Sequence, residues 1–187
     1  MKKNNIITII TGPSAVGKTT IAKIILKRLK TFKPAVTYTT RKKRKNRKED
    51  KIIHYISKKK FKKLIEDDAF LEWAQVYNNF YGTSKKETLK ILNKNNILLN
   101  IDIQGALIIK KKYPQCLTIF ILPENIDNLK KRLKKRKYSK KIIDERFAQV
   151  KHEISQNKKF DYSIINYNNH LNETVKKIIT ILKKYSS

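Results

Sequence analysis

The sequence has little cysteine, little acid and no long apolar run, and each scarcity excludes a class of protein. The single cysteine, Cys116, cannot form a disulfide within the chain, which is typical of a reducing compartment. No uncharged apolar stretch reaches the roughly 18 residues of a transmembrane helix. The apolar run at 6–10 is too short for a signal peptide. We therefore expect a cytoplasmic protein with no membrane partner.

The usual nucleophile and metal constellations are also missing. The three histidines, His54, His152 and His170, show no metal-ligand spacing, and we expect them at the surface. No Cys-His or Ser-His-Asp arrangement is evident, so we expect no covalent enzyme intermediate. With 187 residues, 40% of them hydrophobic, the chain suits one domain with a buried core.

Acidic residues are outnumbered 15 to 45 by lysine and arginine, which gives a net charge of +30. The lysines are spread along the whole chain beside many asparagines and isoleucines, and all three residue types have A/T-rich codons. Biased composition therefore explains the charge better than a nucleic-acid surface, and we expect only nonspecific polyanion binding at low salt. Only seven of the basic residues are arginines. Where lysine is the default cation, an arginine indicates a need for a planar group that grips phosphate with two hydrogen bonds.

What the chain does contain is a phosphate-binding motif at 12–19. Its letters, GPSAVGKT, fit G-x-x-x-x-G-K-[ST] and follow the apolar run at 6–10, as in a buried strand that feeds a glycine turn and a helix. Backbone N–H groups in such a loop converge on phosphate oxygens. Lys18 is expected to reach the β- and γ-phosphates, and the Thr19 hydroxyl to ligate Mg²⁺. The motif predicts a protein that binds a nucleoside triphosphate with Mg²⁺.

Apolar periodicity predicts strands that alternate with helices, which indicates an α/β fold with a parallel sheet. Candidate strands lie at 6–10, 35–39, 97–103, 117–122 and 162–165. Beyond the helix that follows the loop, candidate helices lie at 58–67, 85–92, 126–135, 142–157 and 171–184. Two segments interrupt this alternation: 36–86 is polar and aromatic, and 132–146 is very basic. Insertions on a rigid sheet commonly carry binding and closing parts.

The first interruption holds the candidates for substrate recognition. Arg41 and Arg44 stand beside several hydroxyl residues, although this stretch alone would also suit a solvated basic loop. Glu72 has apolar neighbours, which predicts a partly buried carboxylate that needs a partner, whereas Trp73 is expected to pack in the core. Guanine offers two parallel donors that suit one carboxylate, but the Watson–Crick edge of adenine presents one donor and an acceptor. If a base binds here, Glu72 selects guanine.

Together these features resemble the guanylate kinases, which transfer phosphate from ATP to GMP, over nearly the whole chain. The matching motifs are GPSAVGKT at 12–19, TTRxxR at 39–44, LEWAQV at 71–76, FYGTS at 80–84, IDIQGA at 101–106, IFILP at 119–123, RLxxR at 132–136 and DYxIIN at 161–166. The resemblance implies a P-loop NTPase-type three-layer fold. It also implies one domain over 1–187, with the core at 1–35, 87–131 and 147–187, a GMP-binding insertion at 36–86 and a short lid at 132–146.

The resemblance also implies roles by position. ATP would be bound by Gly12, Pro13, Ser14, Ala15, Val16, Gly17, Lys18, Thr19, Thr20 and, near adenine, Asn166. GMP would be held at its phosphate by Arg41, Arg44 and Tyr81, at its base by Glu72, Thr37 and Thr83, and near the centre of the site by Asp102. The charge on the transferring group would be stabilised by Lys18, Arg41, Arg136 and Arg146.

The chain departs from the pattern of this family at several positions. Ile53 stands where a tyrosine that binds the GMP phosphate is usual, and Asn100 replaces the first acid of the usual DID. We expect weaker GMP binding and reduced activity. Tyr38 or Tyr55 is a candidate to replace the missing phenol.

Other functions stay open from the residues alone. A P-loop kinase for AMP, dTMP or CMP would share the loop, but Glu72 favours GMP and dGMP. A degenerate guanylate-kinase-like module, with weak or no activity and a role in binding, is the alternative of a different class; the intact loop argues against it. A specific nucleic-acid role would need a localised basic or aromatic surface. The chain is expected to be a monomer or a homodimer.

Overall fold

The computed structural model of the protein describes residues 5–43, 53–76, 78–134 and 140–186. Within those ranges, the side chains of Lys141, Ile142 and Arg146 lie outside the description. Among the described residues, no helix has the length and apolar character needed to cross a membrane.

Five parallel strands form the central sheet. They are β1 (Ile7–Thr11), β2 (Phe32–Pro34), β7 (Asn96–Asn100), β8 (Leu117–Pro123) and β9 (Tyr162–Asn166), in the order β2-β7-β1-β8-β9. Strand β1 is central and wholly buried, and its uncharged sequence of isoleucine and threonine suits a sheet that is covered on both faces. The carboxyl end of β1 therefore opens into the phosphate-binding loop at the middle of the sheet.

Helices cover both faces of this sheet. They are α1 (Lys18–Arg28), α3 (Lys85–Leu92), α4 (Ile103–Lys112), α5 (Ile126–Lys134), α6 (Lys140–Ser155) and α7 (Leu171–Tyr185), with a short 3-10 helix at Gln156–Lys159, whereas α2 (Lys58–Glu66) packs on a second sheet. Successive side chains of a strand point to opposite faces. Ile10 accordingly joins a cluster with residues of α1 and α7, while Ile9 joins a second cluster with residues of α4. The predicted parallel α/β fold is confirmed, and its layers are helix, sheet and helix.

A second sheet of four strands lies within 37–84. It contains β3 (Thr37–Thr39), β4 (Ile53–Tyr55), β5 (Phe70–Val76) and β6 (Asn79–Ser84), in the order β4-β3-β6-β5. Strands β3 and β4 are parallel, and the other two pairings are antiparallel. Phe61 of α2 stacks on Phe70 and Phe80 with ring centroids 4.7 and 5.4 Å apart, which gives this sheet an aromatic core of its own.

Two predicted strands were wrong in extent. The strand expected at 97–103 ends at Asn100, because Asp102 caps the start of α4 and Ile103 is its first residue. The isoleucines on both sides of Asp102 resemble a strand, but Ile101 lies in the connection after β7 and Ile103 begins α4. The strand expected at 35–39 is shorter, because β3 begins only at Thr37; the preceding β2 ends at Pro34 and pairs in the other sheet.

Candidate active site

The phosphate-binding loop has the backbone geometry that its glycines allow. Gly12 and Gly17 have φ values of +137° and +112°, a region that side chains rarely adopt. A Cβ on Gly12 would collide with the Ile121 carbonyl oxygen, and one on Gly17 would lie 2.7 Å from Asn166 Nδ2. Gly17 is the N-cap of α1 and makes no side-chain cap hydrogen bond. The first N–H groups of α1 therefore face the loop, as an anion site at a helix N-terminus requires.

Lys18 and Thr19 follow at the start of α1. The Lys18 ammonium donates to the carbonyl oxygens of Gly12 at 2.6 Å and Pro13 at 3.0 Å. The Asn100 side-chain amide donates to the Thr19 hydroxyl at 3.2 Å. Thr20 is exposed in the same turn. The replacement of an acid by Asn100 thus leaves a polar group in contact with the predicted Mg²⁺ ligand.

Arg132 of α5 and Asn166 of β9 support the loop from the outside. Arg132 Nη1 donates to the carbonyl oxygens of Ala15 at 3.3 Å and Val16 at 3.2 Å. Asn166 Nδ2 donates to the same Val16 oxygen at 2.8 Å. Asn166 is buried, and its Oδ1 has no hydrogen-bond partner among the described residues. Sequence reasoning gave Arg132 no role, although its membership of a scarce residue type and of the RLxxR motif was the available signal.

A cleft of about 610 Å³ lies between the loop and the second sheet. The core contributes Gly12, Ser14, Lys18, Thr19, Asn100, Ile101, Asp102 and Ile103, the second sheet contributes Thr37, Glu72, Val76, Asn79, Tyr81 and Gly82, and Arg41, Lys42 and Asn78 come from its loops. Glu145 and Glu153 of α6 complete the lining. Residues far apart in the chain, predicted on separate grounds, therefore meet in one cavity.

Glu72 is the buried acid of this cleft. It follows a bulge in β5 and is only 4% exposed, whereas Trp73 next to it is 41% exposed. The expectation that Trp73 packs in the core was wrong, since strand alternation turns Glu72 inward and Trp73 outward. The Thr83 hydroxyl donates to Glu72 Oε1 at 2.6 Å. Burial raises the pKa of Glu72 to about 7, an effect that the Thr83 hydrogen bond opposes and the Asp102 charge adds to.

Asp102 faces the same part of the cleft from the core. Its carboxylate accepts from the Gly105 N–H at 3.0 Å and caps the N-terminus of α4. This capping contact holds Asp102 at the wall of the cleft.

Arg41 lines the cleft together with Thr37 and Tyr81. Arg41 Nη2 donates to the Tyr55 hydroxyl at 3.3 Å, and its guanidinium carbon is 5.7 Å from the Tyr55 ring centre. Tyr38 instead stacks on His54 and donates to Glu87. Of the two candidate replacement phenols, only Tyr55 contacts Arg41.

The sequence model of the guanylate kinase family matches residues 4–185. This chain belongs to that family. It is 40% identical over 184 residues to a guanylate kinase of Caldanaerobacter subterraneus, covering 97% of this chain and 88% of the relative. It is 38% identical over 185 residues to a guanylate kinase of Prochlorococcus marinus, covering 98% and 100%. The crystal structure of guanylate kinase from Anaplasma phagocytophilum superposes with a TM-score of 0.80 at 28% identity, covering 100% of this chain and 88% of that one.

The cleft of this guanylate kinase family member is lined by nine of the residues assigned by sequence: Gly12, Ser14, Lys18, Thr19, Thr37, Arg41, Glu72, Tyr81 and Asp102. Thr83 does not line the cleft but donates a hydrogen bond to Glu72, which does. Asn166 lies behind the loop and also does not line the cleft. Arg44 and Arg136 lie outside the described residues, and Arg146 is described only as a backbone position of α6. Sequence reasoning missed the contacts of Arg132 with the loop, and it did not separate Tyr55 from Tyr38.

Proposed function

We propose that this cleft transfers the γ-phosphate of ATP to GMP or dGMP and releases ADP and GDP or dGDP. The observation that carries the proposal is the convergence of Lys18 with its loop and of Glu72 on one cavity. A triphosphate on the loop and a guanine on Glu72 bring the two phosphate tails toward each other. Among the described residues, no other part of the structure brings a phosphate-binding loop together with a buried acid.

Recognition of GMP follows from the contacts of Glu72. The Thr83 hydroxyl fixes one carboxylate oxygen, so the carboxylate presents fixed acceptors to the N1–H and N2 amine of guanine. A base without these donors would leave a buried charge unpaired, which costs about 1–3 kcal/mol or more. Thr37 and Asp102 border the same space. The GMP phosphate would lie at Arg41 and Tyr81, with Arg44 beside them.

ATP binding uses the loop of 12–17 with Lys18, Thr19 and Thr20. On binding, the Lys18 ammonium would exchange its two loop carbonyl oxygens for phosphate oxygens. The Oδ1 of Asn166 is buried and has no partner in the part of the chain that the structure describes, which supports its assignment to the adenine side, because the adenine amine is a donor. Arg136 and Arg146 are proposed to clamp the ATP phosphates from the lid.

Magnesium fits the oxygen groups at the start of α1. The Thr19 hydroxyl and the adjacent Asn100 side chain are hard polar groups, and Mg²⁺ prefers such groups together with phosphate oxygens and water. They would hold the ion, which when bound neutralises charge on the ATP phosphates.

The catalytic step would be a direct in-line transfer. Lys18 and Arg41 stabilise the charge that spreads over the phosphoryl oxygens, with Arg136 and Arg146 in the same role. Closure of 36–86 and 132–146 over the substrates would exclude water and prevent loss of phosphate to hydrolysis. The protein acts by positioning and charge, with no covalent intermediate.

This activity would belong to purine nucleotide metabolism, and we propose a cytoplasmic location. The lone Cys116 is buried before β8, and burial raises the pKa of its thiol to about 11, so the thiol stays protonated. A chain without an internal disulfide suits a reducing compartment.

The test is ADP formation with ATP, Mg²⁺ and each of GMP, dGMP, AMP, CMP and dTMP in turn. We expect turnover with GMP and dGMP alone. Turnover with AMP, CMP or dTMP would contradict the proposed specificity for guanine. GMP binding without turnover would instead identify a binding module.

A further inference from the structure

Helix α4 connects the core sheet to the guanine side of the cleft. Its Ala106 and Ile109 are wholly buried in the cluster that covers one face of the core sheet. At its far end the Lys112 ammonium donates to the Leu71 carbonyl oxygen at 3.2 Å. Leu71 is the neighbour of Glu72 in β5. The helix is therefore fixed to the core and lies against the strand that carries the buried acid.

Gly105 is the residue of α4 that faces Glu72. A Cβ on Gly105 would lie 2.5 Å from Glu72 Oε2 and 3.1 Å from Glu72 Cδ. The next nearest atom, Ile101 Cδ1, would be at an ordinary contact distance of 3.5 Å. The carboxyl group of Glu72 is thus the group that conflicts with a side chain at this position.

The backbone gives no reason for a glycine here. The glycines with positive φ are Gly12 and Gly17, and Gly105 lies in the first turns of a regular helix. Glycine is a poorer helix former than alanine. Its hydrogen bond to Asp102 uses the N–H that every residue except proline provides. What distinguishes Gly105 from other residues at this position is therefore its lack of a side chain, which leaves room for the Glu72 carboxylate.

We propose that Gly105 is a positioning residue for guanine selection, because its missing side chain lets the Glu72 carboxylate lie flat against α4. The carboxylate is then held between the Thr83 hydroxyl on Oε1 and the α4 backbone beside Oε2. Because the carboxylate is already ordered, GMP binding does not have to restrict a mobile side chain and loses less conformational entropy. This inference rests on the proposed role of Glu72 as the guanine acceptor.

Alanine at position 105 tests the idea. Because Glu72 Oε2 is the end of a flexible side chain, a Cβ would turn the carboxylate away while the fold persists. We expect Gly105→Ala to raise the GMP KM about 10-fold or more, the effect of misplacing one charged hydrogen-bonding group. The ATP KM should stay within about twofold of wild type, since the loop is untouched. The melting temperature is measured in parallel, because it shows whether the new Cβ is accommodated without loss of the fold.

Gln104→Ala is the matched control. Gln104 precedes Gly105 in the same turn of α4 but is exposed. Its replacement changes helix propensity without approaching Glu72, and the GMP KM should stay at the wild-type value. A rise equal to that of Gly105→Ala would assign the effect to the helix as a whole and overturn the proposal.

The decisive comparison is a double-mutant cycle with Glu72→Ala. Once the carboxylate is gone, Gly105→Ala should raise the GMP KM no further. Equal effects of Gly105→Ala in both backgrounds, or none in either, would overturn the role of Gly105. If Glu72→Ala itself left the GMP KM unchanged, the guanine assignment of Glu72 would fail instead, so the two failures are distinguishable.

The same cycle covers the case in which Gly105→Ala folds poorly. The Cβ would then conflict with Glu72, so the double variant should recover the melting temperature lost by the single one. A double variant as unstable as Gly105→Ala alone would show that the glycine is needed for another reason.

Discussion

The two walls of the cleft differ in the groups that they present to a ligand. The loop wall uses backbone N–H groups and cations, whereas the second-sheet wall places a buried acid, Glu72, in a chain of net charge +30. Backbone groups and lysine attract any polyphosphate, but a buried carboxylate accepts only a partner with matching donors. The comparison supports the proposal that the loop provides catalytic charge and Glu72 provides selection, while Arg41 adds charge from the second-sheet side. Substitutions on the two walls should therefore damage different kinetic constants.

The largest effect is expected on the loop wall, at Lys18. Lys18→Ala should lower kcat about 1,000-fold, because it removes a cation from the transferring phosphoryl group. The GMP Kd, measured by calorimetry, should hardly change. Lys27→Ala is the charge-matched control, since Lys27 is exposed at the other end of α1, and it should retain full activity. A Lys18→Ala enzyme with wild-type kcat would separate the loop from catalysis.

The selecting wall should respond in the opposite way. Glu72→Gln should lower kcat/KM for GMP about 100-fold, because an amide group opposes the guanine donors with a donor of its own. The ATP KM should not change. Glu66→Gln, at an exposed position of α2, removes the same charge and should be silent. Loss of ATP binding in Glu72→Gln would contradict the division between the walls.

The third effect is pH dependence confined to the selecting wall. Since burial raises the pKa of Glu72 to about 7, the acceptor form is lost as the pH falls through that value. The GMP KM should rise about 10-fold per pH unit below about 6.5. Glu72→Gln should show only the titration of the GMP phosphate itself. A wild-type profile identical to that of Glu72→Gln would refute the linkage.

The same titration has a consequence for stability with a definite sign. The pKa of Glu72 is higher in the folded protein than in the unfolded chain, so protonation of this carboxyl stabilises the fold. That stabilisation is fully present below about pH 4.5 and is lost as the pH rises through about 7. Thermal melts of wild type and Glu72→Gln should therefore converge or cross in that window, with wild type gaining stability toward the acid side.

A smaller effect is expected where Tyr55 supports Arg41. Tyr55→Phe should raise the GMP KM about threefold, since the hydroxyl that contacts the Arg41 guanidinium is removed. Tyr38→Phe removes the same atom from a residue that contacts Glu87 instead and should be neutral for GMP. Equal effects of the two variants would show that Tyr55 has no special role.

The smallest expected effect is a gain. Ile53 pairs in the sheet with Thr37, which borders the cleft, but the isoleucine side chain has no hydrogen-bonding group. Ile53→Tyr should lower the GMP KM about twofold to threefold by adding a phenol on the phosphate side. An unchanged GMP KM would contradict the idea that Ile53 weakens GMP binding.

The sequence predicted the loop wall better than the selecting wall for a physical reason. The loop is contiguous in sequence, and its glycines, Lys18 and Thr19 have fixed positions within it. The motif therefore predicts the local geometry without any long-range contact. The selecting wall joins β3, β5, β6 and α4, and short strands with charged flanks have weak periodicity. Only the family resemblance brought Glu72 and Thr83 together, and neither periodicity nor motif revealed that Gly105 lies against the Glu72 carboxylate.

The most direct measurement is a crystal structure of this protein with GMP and a non-hydrolysable ATP analogue. The account predicts the guanine N1–H and N2 amine on the Glu72 carboxylate and the γ-phosphate on Lys18, with the GMP phosphate between them. Guanine bound elsewhere, or a triphosphate away from the loop, would contradict it.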